Sequence, residues 1–188
     1  MGSYYYLVSQ LPTLSWGAPV PMSSGHFRSL CATLMNAGDF ALLDNCVLEP
    51  KPGKPTGSAL IDSWLGWESA LRLNLAHNRS QRLKRDPAAL PEAPSDPLDA
   101  STLAKLVMSL DSPLEAENTL DLARWAALER FQGFDYFGRD TLYAYLFKIL
   151  MLERKALFRV EDGFMEYKKI YASVMEAAPN NIQAGEPK

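Results

Sequence analysis

Leu60, Trp64, Trp67, Leu71 and Leu75 recur at spacings of four, three, four and four, which sets them on one stripe of a 3.6-residue helix. The pattern predicts a long amphipathic helix over residues 58–86 with one face built for burial. The same reading predicts six further helices. Ser23 or Ser24 can cap a helix whose body is His26 to Met35, with Gly38 as its stop. A short helix follows from Asp39 to Leu48, with Phe40, Leu43 and Val47 on one side. Ala100 to Leu110 reads as another. Ser112, Pro113, Leu114 and Glu115 form a capping box with proline at the first helical position, opening a helix that runs to Gln132 and ends at Gly133. Asp140 to Arg159 carries Leu142, Leu146, Ile149 and Leu150 as its apolar positions. Glu161 to Ala177 has Phe164, Tyr167, Tyr171 and Val174 on one stripe.

Between these segments the chain is punctuated by proline and glycine. Pro12, Gly17, Pro19 and Pro21 imply a loop held through Leu14 and Trp16, and Pro50, Pro52, Gly53, Pro55 and Gly57 lead into the long helix. Pro87, Pro91, Pro94 and Pro97 exclude regular structure over 87–98. The run from Tyr4 to Val8 suits an extended segment, and such short apolar runs also start helices. Seven helices without a convincing strand predict an all-α bundle. One helical domain is expected over 1–178, with similar halves over 1–86 and 99–178 joined by the 87–98 connection, and a disordered tail over 179–188.

Charge sharpens the picture of the long helix. No acid lies between Ser69 and Arg85, whereas Arg72, Arg79, Arg82, Lys84 and Arg85 accumulate there, so its C-terminal half should carry a positive potential and these five are the candidate partner interface. From Glu92 to Asp140 ten acids face four bases, so the two regions can also compensate each other within the chain. The total is only -3. A sequence pI of 5.4 and the lack of a nucleic-acid motif argue against a nucleic-acid partner, although phosphate would be drawn to such a patch.

Candidate chemistry is sparse. His26 and His77 have no ligand-spaced companions, so no metal is expected. Gly53, Lys54, Pro55 and Thr56 lack the upstream glycine of a phosphate loop. Cys31 and Cys46 read as reduced, buried packing residues. Glu115, Glu117, Asp121 and Glu129 share a helix, but a first-turn glutamate answers the helix dipole and Asp121 with Arg124 makes a local ion pair. No catalytic residue and no cofactor are expected. Asn78, Arg79 and Ser80 match a glycosylation acceptor that should stay unmodified within a helix. The longest apolar stretch, Leu142 to Leu152, spans 11 residues and includes Lys148, short of the roughly 20 that cross a bilayer. With no secretory pattern at the N-terminus, a cytoplasmic location is the default expectation.

Three groups of residues carry a resemblance. They are the Tyr4 to Val8 run with Leu11, Pro12 and Leu14; Trp64, Trp67, Glu68, Leu71, Arg72 and Arg79; and Pro113 to Glu117 through Asp121, Arg124 and Trp125 to Tyr136, Phe137, Tyr145, Glu153 and Arg154. On these the chain resembles a bacterial family of unassigned function encoded beside the genes of V-type (A/V-type) ATPases. The resemblance implies a non-enzymatic stand-in for the rotor cap of those ATPases (the C/d component), the helical piece joining the central stalk to the membrane rotor ring. It implies stalk and ring subunits as partners, and a cytoplasmic position peripheral to the membrane through that complex. Trp67 to Arg79 and Asp140 to Lys155 resemble two of the helical units of the rotor cap, which normally has three. An assembly factor for the same ATPase is the alternative implied; a small soluble enzyme or a nucleic-acid binder is the alternative outside the resemblance.

Overall fold

A computed structural model describes residues 4–50, 53–85, 90–91, 100–158 and 160–177. The 179–188 tail and all but two residues of the 87–98 connection lie outside them. The described residues are all-helical: α1 (Tyr5–Ser9), α2 (Ser24–Leu34), α3 (Ala37–Leu42) with a 3₁₀ turn at Leu43–Asn45, α4 (Ala59–Arg82), α5 (Ala100–Met108), α6 (Pro113–Gln132), α7 (Arg139–Ala156) and α8 (Val160–Ala177). The chain separates into two compact units, Met1–Glu153 and Arg154–Lys188.

Local chemistry accounts for most boundaries. Ser23, Ser58 and Ser112 each accept a backbone N–H three residues on, at 3.2, 3.4 and 3.4 Å, satisfying a donor that the first turn leaves free. Asp62 gathers the N–H and hydroxyl of Thr56 and the N–H of Gly57, which orders the approach to α4. Gly133 closes α6 with a positive φ of 65°, where a side chain would be strained.

One open alternative is decided and two expectations are corrected. Of the extended and helical readings of the Tyr4 to Val8 run, the helical one holds in α1, where Leu7 is buried in the core and the N–H of Val8 reaches Tyr4 O within a single turn. Gly38 does not stop α2; it lies inside α3, because the Asn36 side chain accepts the Asp39 N–H at 2.8 Å and starts a new helix there. The long helix ends at Arg82 rather than 86. Lys84 adopts the left-handed conformation (φ 52°), while Arg85 N–H bonds Ser80 O and Lys84 N–H bonds Gln81 O. That is a Schellman closure with lysine at the position glycine usually fills.

In the first unit α4 packs along α5 and α6, so the helices flanking the proline-rich connection share one core. The predicted stripe of α4 is fully inside: Leu60, Trp64, Trp67, Leu71 and Leu75 are all buried. Trp64 stands at its centre, 5.0 Å from the ring of Phe147 on α7 and 5.8 Å from Trp67. Its indole N–H donates to Val47 O at 3.3 Å. The first part of α7 adds Leu142, Leu146 and Ile149 to the same core, and Glu153 caps α2 by accepting the Ser24 N–H at 2.7 Å. In the second unit, the described side chains of α8 from Phe164 to Met175 are exposed.

Candidate partner interface and the polar clusters behind it

The five cations of the sequence patch divide into two groups. Arg72 is engaged from one side: its Nε donates to Glu68 Oε1 at 2.8 Å and its Nη2 to Leu48 O at 3.2 Å, so it braces the core while its side chain stays 40% exposed. Arg79, Arg82, Lys84 and Arg85 are exposed, and none makes an ion pair among the described residues. The early closure of α4 bends Lys84 and Arg85 off the helix axis, with Leu83 exposed between them and Arg82. These four cations can offer charge-assisted hydrogen bonds to an acidic partner.

About three turns nearer the start of α4 than Arg79, a buried network centres on Glu68 that the periodicity did not announce. Glu68 is wholly inaccessible. Arg124 Nε and Nη2 bond its two carboxylate oxygens, both at 3.0 Å, and Arg124 Nη1 bonds Asp121 Oδ1 at 3.0 Å. With Arg72 the cluster holds two acids and two bases, so its formal charge balances. Burial works against the Arg124 charge, but Glu68 and Asp121 outweigh it and raise its pKa above the ordinary arginine value. The expected local Asp121–Arg124 pair is present three residues apart on α6, but it is buried and joined to α4 through Glu68. The direction of compensation is also reversed, since the base comes from the acidic segment and the acid from the basic helix. A signal existed: Glu68 lies 40° from Trp64 on the helical wheel, beside the apolar stripe, where a lone charge has no reason to be unless it is paired.

A second cluster ties the N-terminus to α3 and α7. Asp39 Oδ2 accepts the Tyr4 hydroxyl at 2.6 Å and the Asn36 amide at 2.8 Å, while Oδ1 accepts Arg139 Nη1 at 3.0 Å. Tyr143 donates its hydroxyl to the Asp39 carbonyl at 2.9 Å. Burial alone would raise the Asp39 pKa, but bonds from Tyr4, Arg139 and Asn36 overcome it and hold the carboxyl below its usual value. A carboxylate with a depressed folded-state pKa stabilises the fold at pH above its unfolded value of about 3.9, and that contribution is lost as pH falls through the folded value. The free-energy gap between the parent and Asp39→Asn, measured by denaturant unfolding, should therefore stay constant from neutrality to about pH 5 and shrink below about pH 4. A gap that did not change with pH would remove Asp39 from the acid response.

An aromatic platform adjoins this cluster. Tyr4 N–H bonds Phe137 O at 2.7 Å, and Tyr5 stacks on Phe137 with ring centroids 4.0 Å apart. The turn carrying Phe137 is shaped by local bonds: Asp135 Oδ1 accepts the Phe137 N–H, Thr141 donates to Asp135 O at 2.6 Å, and a β-carbon at Gly138 would collide with the Asp135 carboxylate. It holds Phe134 93% exposed, with Tyr136 and Tyr6 also outward.

The remaining candidates are engaged in structure. Glu129 accepts the Trp125 indole N–H at 2.9 Å and pairs with Lys148 at 3.0 Å. An open groove of about 560 Å³ beside α4 contains Asp44 and Asp62, but Asp44 pairs with Arg28 and Asp62 holds Thr56 and Gly57. His77 Nε2 lies 2.8 Å from Pro91 O, and Asn78 lies within α4. Cys31 and Cys46 are free and buried. Burial pushes the Cys31 thiol up to about 12 and raises Cys46 as well. Among the described residues no group of three His, Cys, Asp or Glu side chains could hold a metal ion, and no helix is long and apolar enough to cross a membrane. Compared with family models, curated proteins and solved structures, the chain matches none at a significant level.

Proposed function

We propose that this chain is a non-enzymatic subunit or accessory protein of a V-type proton- or sodium-translocating ATPase, placed as a cap between central stalk and rotor ring. One observation carries the reading: residues of the resemblance that are far apart in sequence converge in space. Glu68, Arg72, Asp121 and Arg124 become one buried brace between α4 and α6, and the N-terminal tyrosine run meets Phe137 in an exposed aromatic platform. A torque-transmitting cap needs rigid helices and aromatic or arginine anchors, which dominate protein interfaces, and it needs no reaction centre. Arg79, Arg82, Lys84 and Arg85 supply the cationic contact to acidic stalk or ring surfaces. The protein then sits on the cytoplasmic side, held at the membrane by its protein partners.

The test is affinity capture of the tagged full chain from its native cells, with recovered proteins identified by mass spectrometry. Stalk and ring subunits should be recovered, and replacement of the four exposed cations by serine should reduce their yield while leaving thermal stability unchanged. Recovery with the assembled, ATP-hydrolysing complex indicates a subunit, whereas recovery only with partial complexes indicates an assembly factor. Capture lacking every ATPase subunit would overturn the proposal.

A further inference from the structure

We infer that α8 is a self-association element that joins two copies of this chain as a parallel, in-register pair of helices. Within the second unit, Phe164, Tyr167, Ile170, Tyr171, Val174 and Met175 are each more than half exposed on one helix. Most helical stability in proteins comes from packing an amphipathic face rather than from propensity, so an 18-residue helix with this apolar face calls for cover. Phe164, Tyr167, Tyr171 and Val174 follow one another at three, four and three residues, the seam spacing of paired helices, with Phe164 and Tyr171 at a positions and Tyr167 and Val174 at d. Six such side chains expose on the order of 600 Å² per helix, close to the roughly 800 Å² per partner of a stable interface.

The flanks of the seam select the occupant and its direction. In a parallel pair, Ile170 at g lies beside Met175 at e of the second copy, so apolar meets apolar on both sides. The two Lys168 side chains, also at e, fall on opposite sides of the seam. In an antiparallel pair with ends aligned, e faces e and Lys168 meets Lys168 across the centre of the contact, where like charges repel. The helix is also prepared for pairing. Lys168 Nζ lies 4.6 Å over the Phe164 ring, Tyr167 and Tyr171 rings stack at 6.1 Å, and Lys169 bonds Glu166 on the outer side.

The test uses the full chain. Sedimentation across low to high micromolar concentration should show a monomer–dimer equilibrium. The double variant Tyr167→Glu/Tyr171→Glu should weaken it at least about tenfold, which corresponds to ~1.4 kcal/mol, with the unfolding midpoint of the first unit unchanged. Under mild oxidation Val174→Cys at the seam should form a disulfide-linked dimer, whereas Ser173→Cys on the outer side should not; Cys31 and Cys46 are buried and stay silent. A parent chain that remains monomeric at every concentration would overturn the inference and leave α8 for a different protein or for the chain's own body. Cross-linking at neither position would overturn the parallel register, and equal cross-linking at both would reduce the contact to non-specific collision.

Discussion

Replacing Arg124 with methionine should cost the first unit about 3–5 kcal/mol, because removal of one partner strands a buried charge in a medium that solvates it poorly. Glu68 is wholly inaccessible and receives two of its three side-chain bonds from Arg124. Arg72 alone cannot replace them. Against a typical total of about 5–15 kcal/mol, that loss would remove about a fifth of the stability or more. Denaturant unfolding followed by circular dichroism measures it directly. The double variant Glu68→Leu/Arg124→Met should recover more than half of the loss, since it removes both charges from the apolar interior rather than orphaning one. A single-variant cost below about 1 kcal/mol, the range of exposed ion pairs, would show that water reaches Glu68.

Truncation of Trp64 to alanine should be comparably severe, at about 3–5 kcal/mol. The side chain is 0% exposed and packs against Phe147 and Trp67, so its loss leaves a cavity in the middle of the α4–α7 contact. It also frees Val47 O from its indole donor. Trp64→Phe should cost clearly less, because most of the volume and the aromatic contact survive. Thermal unfolding of the three proteins should rank parent above phenylalanine above alanine; an alanine variant matching the phenylalanine one would mean the core closes over the space.

The two predictions mark different degrees of legibility. The place of Trp64 follows from spacing alone, since a stripe at 3.6-residue period on a 24-residue helix has only one side that can avoid water. The caps at Ser23 and Ser112 were equally readable, because the bond from a serine oxygen to an N–H three residues on is local. Gly38 misled because a glycine stop and a capping asparagine two residues earlier compete, and the second won by starting α3. At Tyr4 to Val8 either conformation was open until burial of Leu7 favoured the helix. Arg72 looked like its neighbours Arg79 and Arg82, yet its position four residues after a buried acid pairs it with Glu68.

By itself the sequence determined the all-helical class, the apolar face of α4, the serine caps and the exposed basic end at Arg79 and Arg82, because each depends on residues within a turn or two of one another. Tertiary structure alone decided that Glu68 would meet Arg124 56 residues away, that Asp39 would gather Tyr4 and Arg139, and that Tyr5 would stack on Phe137. Those partners are selected by the packing of whole helices. A charge or a ring on one helix carries no record of which distant neighbour the shared core will bring against it.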